Sequence, residues 1–172
     1  MHLETSSNFY GATTNPFNTQ LTSGGSSGGE GALLGLRSCL GIGTDIGGSI
    51  RNPAANCGVY GLRPTSHRLP LDGLAATMLG QEHIVPVIGP LSTSLAGLKL
   101  FTKTLIAAQP WRREPSLLLF PWRDDPQLPP YQLPHPASLA PPKSLKVAVL
   151  WDDGVVRPHP PPPAPCAPSW TR

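Results

Sequence analysis

Ser26 and Ser49 are the residues of this 172-residue chain whose settings could support covalent chemistry. Each stands beside a glycine pair, in GGSSGG (24–29) and DIGGSIR (45–51), with one apolar segment between the two loops. Such pairs let a backbone turn sharply and come close to a ligand. A serine hydroxyl is a weak nucleophile at neutral pH, so cleaving a stable amide needs a base for its proton and donors for the developing oxyanion. The turn Asp45-Ile46-Gly47-Gly48-Ser49 can aim successive backbone N–H groups into one anion-binding concavity, from within which Ser49 would attack. Ser26, on the other loop, would pass the proton between Ser49 and a base and later to the leaving amine. These residues do not themselves supply the base.

The elements that must position these loops follow from local pattern. Residues 1–23 are polar and turn-rich and read as a loop leading into the glycine-serine stretch. EGALLGLR predicts a short buried helix through Ala32, Leu33, Leu34 and Leu36, with Ser27 as its cap and Glu30 suited to the first turn. A short buried strand is expected over 40–44, a helical piece over 50–56 and a second strand over 59–62. Residues 66–90 read as loop. Leu95, Leu98, Phe101, Leu105 and Ala108 recur at helical spacing, with Ser92 or Ser94 as cap and Pro110 as stop. LKVAVLW (145–151) reads as a buried strand, and the proline-rich end from 158 as polyproline-like or disordered.

Composition narrows the functional classes. Thirteen Lys and Arg against ten Asp and Glu leave a net charge of +3, and Arg112-Arg113 is the one adjacent basic pair. A nucleic-acid surface would need clustered basic residues, so no nucleic-acid partner is expected. Cys39, Cys57 and Cys166 form no CxxC, which argues against a zinc site or disulfide framework and favours a reduced, cytoplasmic chain; Cys57 reads as a small buried hydrophobe. Neither a signal peptide nor a membrane-spanning run is visible, so no membrane partner is expected. His67, His83, His135 and His159 are scattered without metal-ligand spacing, and no metal or cofactor is expected. GGSSGGEG lacks the GK[ST] ending of a nucleotide-phosphate loop.

GGSSGGEGAL followed by GIGTDIGGSIRNPAANCGVYGLRPT resembles the amidase signature family, whose members hydrolyse carboxamides with a Ser–Ser–Lys triad. The flanking GQEHIVPVIGPLS, FPWRDD and VAVLWDDGVVRPH are similar to segments of its fungal acetamidase-like general amidases, so the likeness spans residues 10–159. The resemblance implies an α/β fold, here a partial amidase-signature domain over 1–157 with an incomplete mixed sheet and flanking helices, and a tail over 158–172. It makes Ser49 the acyl-enzyme nucleophile and Ser26 the middle serine, following a cis peptide bond from Gly25. It places the oxyanion hole at Ile46, Gly47, Gly48 and Ser49, gives Ser27 a supporting hydrogen bond, and makes Asp45 and Arg51 anchors of the turn. The substrate it implies is a small-molecule amide.

Three departures bear on activity. The family's lysine lies tens of residues before GGSSGG, and no lysine precedes that loop here; Lys99, Lys103, Lys143 and Lys146 all follow Ser49. Ser38-Cys39-Leu40-Gly41 is one residue short of the family's usual GSPLG. Family members are also much longer. The expectation is therefore an amidase fragment, with a catalytically inactive fragment or a binding protein that keeps the oxyanion nest as the alternative. If the helical face through Leu95 and Ala108 stays uncovered, it becomes a homodimer surface.

Overall fold

The computed structural model describes residues 2–75 and 80–122. The expected strand at 145–151 and the tail at 158–172 lie outside the described residues. Residues 2–23, expected as loop, form two antiparallel hairpins instead: β1 (Ser6–Ser7) with β2 (Gly11–Ala12), and β3 (Thr14–Asn15) with β4 (Asn18–Thr22). Their polar residues carry no apolar alternation, so the strand signal is missing from the sequence. Side-chain chemistry holds them instead. Buried Asn15 donates from Nδ2 to the Asn56 carbonyl (2.7 Å), while its Oδ1 accepts from Phe17 N (2.9 Å) and sets the turn.

Helix α1 (Gly28–Gly35) begins at the end of GGSSGG, earlier than the apolar residues alone indicate. It is less buried than expected, since Leu33 and Leu36 face outward while Gly28, Gly31 and Leu34 face inward. Strand β5 (Leu40–Asp45) follows. It is half-exposed rather than buried: Gly41, Gly43 and Asp45 point inward, while Leu40 and Ile42 point outward, Ile42 at 56% exposure. The period-two alternation of a strand puts its apolar residues on the outer face and leaves glycine inside. Helix α2 (Arg51–Asn56) and strand β6 (Tyr60–Gly61) fall where the sequence places them.

The largest correction is β7 (Val87–Ser92), most of it within the stretch expected as loop. It is the central strand of a three-stranded antiparallel sheet ordered β5-β7-β6, with Ile42 opposite Pro90 and Gly61 opposite Leu91. Proline inside a central strand normally costs a ladder bond. Here the Pro90 carbonyl accepts from Leu62 N (3.0 Å), just past the two-residue β6, so the missing amide falls where the ladder is already ending. All strand pairs described are antiparallel.

Helix α3 (Leu95–Ala107) packs on β7 and starts as anticipated. Ser94 is its cap, accepting from Gly97 N (3.1 Å), while Ser92 Oγ accepts from Ser94 N (3.2 Å) and donates to the Cys39 carbonyl (2.8 Å). Its buried stripe is Leu98, Thr102 and Ile106; Leu95 and Ala108 are exposed, and Phe101 and Leu105 are half-buried. Thr102 can occupy that stripe because its hydroxyl donates to the Leu98 carbonyl one turn back (2.8 Å).

Leu34 of α1, Ile50 and Ala54 around α2, and Leu91 of β7 form the core beneath the two loops, with Val59 packed against them. Leu91→Ala should lower the stability of the chain by about 2–5 kcal/mol, the usual cost of truncating a fully buried leucine. Urea denaturation measures it, and a loss under about 1 kcal/mol would mean that this cluster does not hold the loops in place.

Candidate active site

Between the end of β5 and the start of α2 the chain turns through Ile46-Gly47-Gly48-Ser49-Ile50, and the Asp45 side chain fixes that turn from behind. The carboxylate is fully buried. Its Oδ1 accepts from Gly48 N (2.8 Å) and its Oδ2 from Ile50 N (3.1 Å) and Arg51 N (3.3 Å). Arg51 grips both oxygens, Nε to Oδ2 and Nη2 to Oδ1, each at 3.0 Å. Gly48 adopts φ +129°, a conformation that side-chain-bearing residues avoid. Ser49 sits at the inner end of the turn, 2% exposed.

Three hydrogen-bonded links join the GGSSGG loop to this turn and to the elements on either side of it. Ser27 N donates to the Ser49 carbonyl (3.1 Å), and Gly25 N donates to Asn52 Oδ1 (3.1 Å) on α2. The Ser27 hydroxyl accepts from Thr44 N (3.2 Å) and donates to the Thr44 carbonyl (3.3 Å), taking the place of a neighbouring strand at the edge of β5 that has no strand partner among the described residues. Ser27 therefore occupies the cap position of α1 without capping it through its hydroxyl, contrary to the expected role. A methyl group on Gly43 would lie 2.6 Å from that hydroxyl, so the glycine makes room for the link. The Gly25–Ser26 peptide is cis, as the resemblance implies.

Three side chains that sequence reasoning missed complete the frame. Thr5 Oγ1 accepts from Gly28 N (2.9 Å) and lies 3.1 Å from the carbonyls of both Gly24 and Ser26, bracing the loop from the N-terminal hairpins. Asn52 is the acceptor for Gly25 just described. Arg63 places Nε 3.6 Å from Asp45 Oδ1, so the carboxylate faces two guanidinium groups. The polarity of Asn52 within a helical piece was the one signal in the sequence for this role; nothing local marks Thr5 or Arg63.

Electrostatics keeps Asp45 ionised. Burial alone would push its pKa up, but the Arg51 guanidinium and the amides of Gly48, Ile50 and Arg51 outweigh burial and lower it from 3.8 to about 2. The same contact raises the Arg51 pKa. Of the four amides expected to form the oxyanion hole, the one at Gly48 is engaged by Asp45, whereas those of Ile46, Gly47 and Ser49 are not among the carboxylate's partners. A cleft of about 440 Å³ opens beside Ser26, walled by Ser27, Glu30, Ile42, Thr44 and Ile88; Ser49 does not line it. Lys99 and Lys103 are exposed on α3 and do not line it either. The Cys57 thiol is buried and its pKa pushed up by that burial. Among the described residues no helix is long and apolar enough to cross a membrane.

A family model described as Amidase matches residues 1–164. Over 162 residues, 94% of the chain, the sequence is 54% identical to a Schizosaccharomyces pombe protein carrying an amidase name and 45% identical to an acetamidase of Aspergillus oryzae. The chain spans 28% and 29% of the lengths of these two relatives. Among solved structures, a fatty acid amide hydrolase superposes with a TM-score of 0.70 at 48% identity, over 73% of this chain and 22% of that one.

The depressed pKa of Asp45 has a definite sign. Its folded value lies below its unfolded one, so the stabilisation is complete above about pH 4 and is lost as the pH falls towards 2; it amounts to about 2 kcal/mol. Chemical denaturation between pH 5 and pH 2 should therefore show a fall larger by this amount in the original chain than in Asp45→Asn. Equal falls would show that the carboxylate is not ionised within this frame.

Proposed function

The chain belongs to the amidase family, and on that premise we propose that it carries the two-serine part of an amide-hydrolysing site, with Ser49 as nucleophile. The observation that supports this most is the bond from Ser27 N to the Ser49 carbonyl, which fixes the loop bearing Ser26 directly against the Asp45-locked turn. In this reading Ser49 Oγ attacks the carboxamide carbon and its proton passes to Ser26 Oγ, which gives up its own proton to the base behind it. The amides of Ile46, Gly47 and Ser49 hold the oxyanion, while Gly48 N–H, given to Asp45, sets their direction rather than adding a donor. Collapse of the tetrahedral intermediate breaks the C–N bond, the amine leaves with a proton returned through Ser26, and an ester to Ser49 remains for water to cleave. The base behind Ser26 is a lysine, as the family resemblance implies, and none of the first 23 residues is lysine.

The substrate class in this reading is a small carboxamide, supported by the acetamidase relative and by the modest cleft beside Ser26. A reducing, cytoplasmic setting belongs to the same reading and is supported by free Cys39 and Cys57. A second reading, a binding protein that keeps the nest without turnover, draws on the burial of Ser49 and its place outside the cleft lining.

A fluorophosphonate probe separates the two readings, because it is attacked by an activated serine and leaves a mass-detectable adduct. The expected result is an adduct on Ser49, absent in Ser49→Ala and formed at least about 100-fold more slowly in Ser26→Ala. A folded chain left unlabelled, or labelled equally after Ser49→Ala, would favour the binding reading.

A further inference from the structure

Arg63 lies two residues past β6 and, besides its own neighbour Pro64, reaches two separate parts of the fold. Its Nε is 3.6 Å from Asp45 Oδ1 behind the serine turn, its Nη1 donates to the Pro64 carbonyl (3.3 Å), and its Nη2 donates to the Val85 carbonyl (3.4 Å). Val85 stands two residues before β7, the strand whose Ile88 walls the cleft beside Ser26. One planar group thus bridges the carboxylate that sets the Ser49 turn and the chain that leads into the cleft wall.

The two charged groups facing Asp45, Arg51 from α2 and Arg63 from beyond β6, are not equivalent. The Arg51 side chain is 54% exposed, and its partners among the described residues all lie within residues 45–51, so that there it shapes its own turn. The Arg63 side chain is 25% exposed and joins segments distant in sequence. Its fork is what makes the bridge, because five fixed donors can serve a carboxylate and two carbonyls together, whereas a lysine ammonium is a point charge on a mobile stem.

We propose that Arg63 is a positioning residue for the reacting serine, clamping the Asp45-held turn in register with the strand that walls the cleft. The proposal rests on the reading of Ser49 as nucleophile, and its test keeps the two separable. Arg63→Lys retains the charge and loses the fork; Arg63→Met loses both.

Two quantities are measured on the full chain: the second-order rate of fluorophosphonate labelling at Ser49, and the titration midpoint of the Asp45 carboxyl by NMR, assigned with Asp45→Asn. For Arg63→Met, labelling should fall about tenfold or more and the midpoint should rise. For Arg63→Lys, labelling should fall about fivefold while the midpoint stays near that of the original chain. A purely electrostatic role would move both quantities together, and a purely structural one would appear as lost folding by circular dichroism without this split. A folded Arg63→Lys that labels at the original rate overturns the clamp. If the original chain is not labelled at all, the nucleophile reading fails, and an Asp45 midpoint unmoved in Arg63→Met would independently remove the contact on which the clamp depends. Should Arg63→Met not fold, Arg63→Lys carries the decision alone.

Discussion

The buried Asp45 carboxylate is the interaction on which the rest of this structure depends. An isolated carboxylate in a protein interior is costly enough to protonate rather than stay charged. This one is surrounded by three backbone amides and a two-pronged arginine, and the balance goes the other way, to a pKa of about 2. The geometry of the serine turn is therefore written in bonds to its own backbone. Whatever happens to the Ser49 hydroxyl, the amides on either side of it, at Gly48 and Ile50, are already oriented.

That arrangement places a demand on β5. For Asp45 to point inward, strand alternation sends Gly43 and Gly41 inward as well, and the interior of the strand holds almost no side-chain volume. The space is taken up from the other loop, where the Ser27 hydroxyl lies against Gly43 and satisfies both backbone polar groups of Thr44. An alanine at 43 would press on that hydroxyl, while a Ser27 without its hydroxyl would leave the edge of β5 open. The glycines of the strand and the second serine of GGSSGG are two sides of one fit. The N-terminal hairpins complete it through Thr5, which is why a stretch without apolar pattern still folds in a defined way.

These dependencies explain what could be read in advance. The serine loops, α1, α2 and the start of α3 were legible because glycine pairs, caps and apolar spacing are local signals. Strand β7 was not, since Gly89 and Pro90 read as a break; only the pairing with β5 on one side and the early end of β6 on the other make a proline tolerable there. The buried stripe of α3 was misjudged at Thr102 because a threonine bonded to its own helix behaves as an inward residue. Asp45 and Arg51, which flank the turn in sequence, were named through the family resemblance. Arg63 and Thr5 act across separations of 18 residues or more, and no local pattern marks such a partner.

The same logic bears on how the parts of such a site can be divided between segments. In a hydrolytic triad the members act as a unit, yet donors and binding alone retain on the order of 1000-fold acceleration over water when a member is lost. In this chain the serine turn is held by Asp45, and the contact between the serine loops is set by Ser27 and Asn52; none of these bonds involves a lysine. The turn that would hold an oxyanion is consequently preorganised without reference to the group that would take the proton. A base supplied from another segment has only to reach Ser26, which already faces the cleft, and need not reshape the buried turn behind it.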